Sequence, residues 1–151
     1  CIIPCGRTKI WDKHPEAGST AAQDVYIGTF SKSCQAYARL FFDEWVVLSA
    51  KHGFLRPLDV LEENYDVSFT SDRELVITKE RMQEQLLEKG LLGYDEVVVL
   101  GGKKYARAVQ GVFSENVELK FPLSGYRGIG YMVQALQEAV RQKQELVKNE
   151  Q

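Results

Sequence analysis

The amino-acid sequence predicts an α/β fold, a three-layer sandwich with a mainly parallel sheet of about four strands flanked by helices. Three observations support this prediction. Four short apolar runs rich in β-branched residues are typical of strands buried on both faces. Segments with the helical spacing of apolar residues alternate with these runs. Each run ends at glycine, small polar and basic residues, and parallel sheets bind ligands at this end of their strands.

The first strand and the first long helix are separated by a long connection. The strand ends near Cys5, and residues 10–30 are rich in Gly, Ser, Thr and Asp. Ser31 or Ser33 is expected to cap a helix that runs to about Asp43, because small hydroxyl side chains accept hydrogen bonds from the free amides of a helix N-terminus.

The second strand is predicted at residues 45–49, and it leads into the long segment 52–75. A connection of this length inside a compact domain is typical of a functional flap or binding loop. Residues 73–90 carry apolar side chains near one helical face, and Gly90 suits the C-terminal cap of that helix.

The second half of the chain continues the alternation of strand and helix. A third strand is expected at residues 96–100, followed by a helix over 104–113. A fourth strand at 117–121 precedes a last helix, which begins near Gly128 and runs past residue 145. Such an order predicts right-handed crossovers between parallel strands.

Length and composition predict one α/β domain over residues 1–151, with a charged tail at 146–151. Because the net charge is −2, the surface as a whole lacks the basic character of a nucleic-acid-binding protein. No apolar stretch reaches the roughly 18 residues of a membrane span, and no signal peptide is visible, so no membrane partner is expected. The oligomeric state stays open.

The cysteine count favours a cytoplasmic location. Three cysteines are an odd number, and a domain of this size needs no disulfide, so a reducing compartment is predicted. The chain opens on Cys1 rather than methionine, and native residues are therefore expected before it. No cofactor is predicted. No metal site is predicted either, because the spacing of Cys1 and Cys5 has no matching second pair.

Two glycine-rich turns are candidate phosphate sites, and the first lies between the third strand and its helix. There Gly101, Gly102 and Lys103 combine free backbone amides with a helix dipole that favours an anion. Neither the G-x-G-x-x-G motif nor the P-loop motif is present, so no nucleotide class is assigned. The alternative interpretation is a tight turn with solvated lysines.

The second glycine-rich turn follows the fourth strand and contains Ser124, Gly125, Arg127 and Gly128. Glycine permits close approach of a ligand, and an arginine guanidinium can hold a carboxylate or phosphate with paired hydrogen bonds. The alternative interpretation is a flexible helix start.

The second strand ends at candidate catalytic residues. Ser49 is followed by Lys51 and His52, of which His52 is the candidate general acid–base and Lys51 an anion partner or nucleophile. A lone histidine in a loop is also often solvated or structural. These three residues are expected to lie beside those that follow the first strand.

After the first strand, Cys5, Gly6 and Lys9 form a basic turn. Two interpretations fit this turn: an anion-binding loop, or a reactive thiol beside two cations. The anion-binding loop is preferred.

Residues from the long connections complete the candidate site. Asp66 is the carboxylate expected to stabilise a cationic centre or to position water, because it lies where apolar alternation resumes. Tyr65 and Tyr26 offer aromatic surfaces on which a base can stack. The alternatives are solvated charge for the loop acids and core packing for the rings.

Several of these elements together resemble an uncharacterised bacterial and phage domain family with an LSAK(H/Y)G(L/F)…P…YD motif. The motif corresponds to LSAKHGFLRPLDV at residues 48–60, followed by Tyr65-Asp66. Further family-like elements are the turn Cys5-Gly6-Arg7-Thr8-Lys9, the stretch Tyr26-Ile27-Gly28-Thr29-Phe30, and the glycines around Pro122-Leu123-Ser124-Gly125 and Gly128-Ile129-Gly130. The resemblance covers about residues 1–137.

Two more distant resemblances bear on function. The stretch GFLRPLD at residues 53–59 is similar to part of the peroxide-stress protein YaaA family, which is associated with DNA binding. The basic cysteine turn is similar to one in the uracil-DNA-glycosylase-like domain of archaeosine tRNA-guanine transglycosylases. These resemblances imply an α/β domain that handles nucleobases, nucleotides or nucleic acid, and they imply no particular reaction.

The leading functional hypothesis is an enzyme that acts on a nucleotide, nucleoside or nucleic-acid base at an N-glycosidic bond. Asp66 would stabilise the developing cation, while His52 or Lys51 would assist the leaving base. The second hypothesis is a non-enzymatic module of stress response or DNA modification that binds nucleic acid or a nucleotide. The third is a redox domain in which Cys5 is the sensitive group.

Overall fold

The computed structural model describes residues 1–147 and has a mixed α/β fold. Its strands are Ile2–Pro4 (β1), Thr20–Ala21 (β2), Val46–Ser49 (β3), Gly53–Leu55 (β4), Val60–Leu61 (β5), Glu96–Val98 (β6) and Glu118–Lys120 (β7). Its α-helices are Ile10–Lys13 (α1), Ala22–Val25 (α2), Thr29–Phe41 (α3), Lys79–Glu88 (α4), Lys103–Val109 (α5) and Ile129–Gln142 (α6). A 3-10 turn at Pro15–Ala17 follows α1.

The strands form three small sheets rather than one mainly parallel sheet of four strands. β3 lies between β1 and β4, parallel to β1 and antiparallel to β4. β6 pairs with β7 in parallel, and β2 pairs with β5 in antiparallel orientation. The α/β class predicted from the sequence is confirmed. A single, mainly parallel sheet is not formed. The parallel strands lie in two separate sheets, β1 with β3 and β6 with β7, and β4 joins the first of these sheets in antiparallel orientation.

A proline explains why the pairing between β1 and β6 stops. Ile2 forms a parallel bridge with Val99, and its carbonyl accepts a hydrogen bond from Leu100 N at 2.8 Å. The next bond of a parallel ladder would come from the backbone N–H of Pro4, which proline does not have. β6 therefore lies beside β1 with a single bridge instead of a continuous ladder.

Helices cover both faces of β1 and β3. On one face, Ile3 and Val47 pack in an apolar cluster with α3 and α6. On the other face, Ile2 and Val46 pack in a second cluster with α4 and α5. Because successive strand residues enter opposite clusters, every residue of such a strand must be apolar. This burial explains the continuous apolar runs in the sequence.

Two predicted helix starts are displaced. α3 begins at Thr29, and the predicted caps Ser31 and Ser33 are buried inside it. α4 begins after Thr78, whose hydroxyl oxygen accepts a hydrogen bond from Arg81 N at 3.1 Å, so the helix predicted from residue 73 is shorter. The capping residue Thr78 therefore marks the start of α4 more accurately than the spacing of apolar residues, which predicted a start at residue 73.

The end of the last helix also differs from the prediction. α6 ends at Gln142 because Lys143 adopts a left-handed backbone conformation with φ of 54°. Leu146 then turns back, and its amide donates a hydrogen bond to the Tyr37 hydroxyl at 3.0 Å. Of the charged tail predicted at 146–151, residues 148–151 lie outside the described residues.

The segments predicted as long connections contain short regular elements. Residues 10–30 include α1, the 3-10 turn, β2 and α2, while β4 and β5 occupy the first part of 52–75. Among residues 1–147, no helix combines the length and the apolar content that crossing a bilayer requires.

Gly53 is expected to be essential for stability, because its φ is +75° and a Cβ there would collide with the side chains of Gln85 and Ile77. Gly53→Ala should lower the free energy of unfolding by about 1–3 kcal/mol in urea denaturation. The control Gly130→Ala adds a methyl group in open space near the start of α6 and should leave stability equal or slightly higher. Equal stability of the two variants would show that the Gly53 turn is not constrained as described.

Candidate functional site

Three buried hydroxyl groups join distant parts of the chain at the candidate site. Ser49 Oγ lies 2.8 Å from the Tyr65 hydroxyl, and the Tyr26 hydroxyl bonds the same Tyr65 oxygen. Ser49 ends β3, Tyr26 precedes α3, and Tyr65 lies in the long segment after β5. We call these three residues the hydroxyl triad. All three are buried, and the most exposed of them, Tyr65, is 8% exposed.

Ser49 also organises the turn that follows it. Its Oγ accepts hydrogen bonds from the backbone amides of Lys51 and His52, at 3.3 and 3.0 Å. A serine hydroxyl that accepts from amides two and three residues ahead fixes a tight local turn. Because Oγ already accepts these two bonds, its proton is free to be donated to Tyr65.

Cations and an imidazole surround the Tyr65 ring. Lys9 Nζ lies 4.5 Å from the ring centroid and Lys51 Nζ lies 5.8 Å from it. The His52 ring meets the Tyr65 ring edge-on, with centroids 4.9 Å apart. Lys9 is itself only 5% exposed, and its Nζ donates to the carbonyl oxygen of Arg7 at 3.3 Å.

The tyrosine rings are not available for the base stacking that the sequence suggested. Tyr26 is 1% exposed, and the ring of Tyr65 is enclosed by Lys9, Lys51 and His52. Their rings form part of the core, which is the alternative that the sequence left open.

Burial sets the protonation of the groups around the triad. It raises the pKa of Tyr65 to about 12 and also raises the pKa of Tyr26, so both phenols are neutral at pH 7. Burial lowers the pKa of His52, and the charges of Lys51 and Lys89 lower it further. The imidazole is therefore neutral near pH 7 and suited to accept a proton rather than donate one.

Tyr65 opens onto a cleft of about 440 Å³, a volume within the range of small-molecule sites. The cleft is lined by Arg7, Lys9, Asp12, Asn64, Tyr65 and Asp66. This lining brings the turn after β1 together with the loop after β5. Lys9, Tyr65 and Asp66 were predicted site residues, whereas Asp12 and Asn64 were missed.

The two carboxylates of the cleft have different surroundings. Asp12 accepts hydrogen bonds from Lys9 N at 2.8 Å and from Asn64 Nδ2 at 3.1 Å, and these bonds lower the pKa of its carboxyl group. It thus ties the two loops together. Asp66 is exposed, and in the described part of the chain its side chain has no partner. Only Asp66 is free to act on a ligand.

Tyr105 holds Cys5 in place through two contacts of its hydroxyl group. The Tyr105 hydroxyl donates to the Cys5 carbonyl oxygen at 2.8 Å, and Cys5 Sγ lies 3.3 Å from the same hydroxyl. Because Tyr105 has a single hydroxyl proton and gives it to the carbonyl, the thiol is the donor of the second bond.

The other two predicted clusters are only partly connected to the triad. Gly101, with φ of +124°, packs against the ring of Tyr105 and so adjoins Cys5. Gly102 is the N-cap of α5, but Lys103 lines a separate cavity with Arg107 and Phe121.

The turn after β7 lies on a different surface. Ser124, Gly125 and Arg127 are exposed, and Gly125 lines a cavity against α6 with Pro122. Gly128 is the N-cap of α6. The four turns therefore do not line one pocket, because Lys103 lines a cavity with Phe121 and Gly125 lines another against α6.

Sequence reasoning missed Gln85 as a supporting residue. Its Nε2 donates to the His52 carbonyl at 2.8 Å, and its Oε1 accepts from Phe54 N at 2.9 Å. Gln85 thus holds the peptide groups on both sides of Gly53. A polar residue at a buried helical position was the only sequence signal for this role.

The LSAKHGFLRPLDV stretch divides into two parts. Ser49, Lys51 and His52 belong to the site. Arg56 donates to the Lys89 carbonyl at the end of α4, and Asp59 accepts from Lys89 Nζ at 2.7 Å. The second half of the motif therefore anchors α4 and has a structural role.

Comparison with known proteins identifies the family. The chain matches the family described as "Family of unknown function (DUF6884)" over residues 1–138, and it belongs to that family. It is 51% identical over 146 residues to "Uncharacterized protein YfjM" of Bacillus subtilis (strain 168), a match that covers 97% of each chain. No solved structure matches the chain. The predicted membership of an uncharacterised bacterial family is confirmed, and the more distant resemblances receive no support.

The lowered pKa of His52 predicts a pH dependence of stability. The unfolded chain binds a proton at His52 near pH 6.5, where the folded protein does not, so stability falls as the pH drops below about 6.5. His52→Gln should reduce this fall, measured by urea denaturation from neutral to mildly acidic pH. His14→Gln, at an exposed histidine, is the control and should follow the wild-type profile. Identical profiles for all three proteins would contradict the described environment of His52.

Proposed function

We propose that the protein is an enzyme that hydrolyses the N-glycosidic bond of a nucleotide, nucleoside or nucleic-acid base in the cleft at Tyr65. One observation carries the proposal. A free carboxylate, Asp66, shares a cleft of small-molecule size with two cations, Arg7 and Lys9.

The cleft residues match the needs of this reaction. Water adds to the anomeric carbon as the bond to the base nitrogen breaks, and the bonding electrons leave with the base. The transition state is oxocarbenium-like, and a nearby carboxylate stabilises its positive charge. Asp66 supplies this charge and accepts a proton from the attacking water. The departing base takes up a proton, so the oxygen and one hydrogen of the water stay on the sugar and the base nitrogen gains one hydrogen.

Help for the departing base is assigned to the cations. The neutral imidazole of His52 lacks the proton of a general acid, although the sequence pointed to it for this role. Lys51 and Lys9 lie around the Tyr65 ring, which lines the cleft. These groups stabilise negative charge on the base as it leaves.

The charge balance of the cleft favours a small ligand over a nucleic-acid backbone. Two carboxylates, Asp12 and Asp66, oppose the two cations Arg7 and Lys9. A groove that tracks a phosphate backbone is lined with excess positive charge. The proposal therefore places a single nucleoside unit in the cleft.

Asp66→Asn is expected to reduce base release by about 10²–10⁴-fold, because it removes the charge and the proton acceptor. Base release is followed by chromatography with a panel of nucleosides, their 5′-monophosphates and short oligonucleotides. Thermal stability should stay unchanged, since Asp66 is exposed and has no partner in the described residues.

Glu63→Gln is the matched control, because Glu63 is an exposed acid in the same loop that does not line the cleft. It should release base at the wild-type rate. The proposal is overturned if no member of the panel loses its base, or if Asp66→Asn remains fully active. Binding of oligonucleotides that weakens steeply with salt, without turnover, would instead favour the binding module.

A further inference from the structure

We propose that the N-terminus of α3, together with the Ser31 hydroxyl and Arg7, forms a phosphate-binding site beside the cleft. The site would take the phosphate group of a nucleotide whose base and sugar occupy the cleft. The identity of that substrate rests on the proposed function, whereas the phosphate site itself is argued from α3 and its surroundings.

The first turn of α3 has free amide groups. α3 covers the 13 residues Thr29–Phe41, and its N-cap Gly28 provides no side-chain cap. Within residues 1–147, the amides of Thr29, Phe30 and Ser31 have no protein acceptor. The first turn also contains no acidic residue. Such a helix end carries partial positive charge and aligned N–H donors, and an anion satisfies both.

Ser31 provides the second, independent observation. The residue is 2% exposed, and in the described part of the chain its hydroxyl has no hydrogen-bond partner. No fully enclosed side-chain oxygen or nitrogen there is unsatisfied, so the Ser31 hydroxyl retains an opening to solvent. A hydroxyl that has no protein partner but reaches solvent can bond a ligand oxygen.

Gly6 shows that this hydroxyl faces the turn after β1. A Cβ at Gly6 would overlap the Ser31 hydroxyl oxygen, so only glycine lets the turn lie this close to the helix. The amide of Ile27 donates to the Thr8 carbonyl at 3.1 Å and holds the two segments together. The turn and the helix N-terminus are thus neighbours, and we call their junction the recess.

Arg7 gives the recess its positive charge. It is exposed at the turn, and within the described residues its guanidinium has no acidic partner. Arginine binds phosphate with paired, charge-assisted hydrogen bonds. Because Arg7 also lines the cleft, one guanidinium borders both the recess and the cleft.

The recess adjoins the hydroxyl triad. The position of a Gly6 Cβ lies 4.0 Å from Cβ of Tyr26, whose hydroxyl bonds Tyr65 at the cleft. A phosphate at α3 would therefore belong to the same ligand as the base and sugar in the cleft. This juxtaposition favours a phosphorylated nucleoside over a bare nucleoside as substrate.

The N-terminus of α3 is also a better anion-binding site than the turn at Gly101. α5, which follows that turn, has only seven residues, and Lys103 faces another cavity. α3 is nearly twice as long and points its N-terminus at a turn that already belongs to the site.

The test is a titration of the ¹⁵N-labelled protein with inorganic phosphate, followed by amide chemical shifts in NMR spectra. Saturable shifts are expected for Thr29, Phe30, Ser31 and Gly6. Ser31→Ala removes the hydroxyl and should weaken phosphate binding about tenfold, because a hydrogen bond to a charged group is lost. Arg7→Gln, at an exposed position, should weaken it to a similar or greater extent.

Ser124→Ala is the matched control, because Ser124 is an exposed serine in the other predicted phosphate turn. Its phosphate affinity should equal that of the wild type. Absence of a saturable shift, or shifts confined to residues 101–103 or 124–128, would overturn the proposal. Unchanged affinity in both Ser31→Ala and Arg7→Gln would also overturn it.

A second arm separates this inference from the proposed function. Base release is compared for a nucleoside and its 5′-monophosphate in the wild type and in Ser31→Ala. The inference predicts a preference for the monophosphate that Ser31→Ala reduces. If base is released without a preference for the monophosphate, the phosphate site is overturned and the proposed reaction stands. If phosphate shifts the α3 amides but no base is released, the phosphate site stands and the proposed reaction is overturned.

Discussion

The hydrogen bonds among Ser49, Tyr65 and Tyr26 are the interaction on which the candidate site depends. They connect the end of β3, the loop after β5 and the residues before α3. Each hydroxyl is buried, and leaving one unsatisfied costs about 1–3 kcal/mol, so the three segments must come together for the fold to be stable. The positions of Lys9, Lys51 and His52 follow from this arrangement, because all three surround the Tyr65 ring.

The fold class and the central strands could be predicted because burial on both faces leaves a direct sequence signal. Ile2 and Ile3 enter opposite apolar clusters, as the continuous apolar runs required. Element ends were harder to predict. The start of α3 at Thr29 has no capping side chain, and the end of α6 depends on the backbone conformation of Lys143. Pro4 was visible in the sequence, but its effect on pairing with β6 depends on which strand lies next to β1.

The candidate site was predictable where strand ends carried chemistry, and Lys9, Ser49 and Tyr65 do meet. Supporting residues could not be found in this way. Gln85 is far along the chain in a helix, and only the folded structure shows that it holds the turn at Gly53. Lys103 was predicted to belong to the site because it follows a buried strand, but it lines another cavity. The position of a residue after a strand therefore predicts which end of the sheet it lies at, but it does not predict which cavity its side chain enters.

A double-mutant cycle on Ser49 and Tyr65 tests the central claim most directly. The free energy of unfolding is measured for the wild type, Ser49→Ala, Tyr65→Phe and the double variant. We expect a coupling of about 1 kcal/mol, because removing either hydroxyl already breaks the bond between them. Additive changes would mean that the two groups do not interact. The segments that build the site would then not be joined as described.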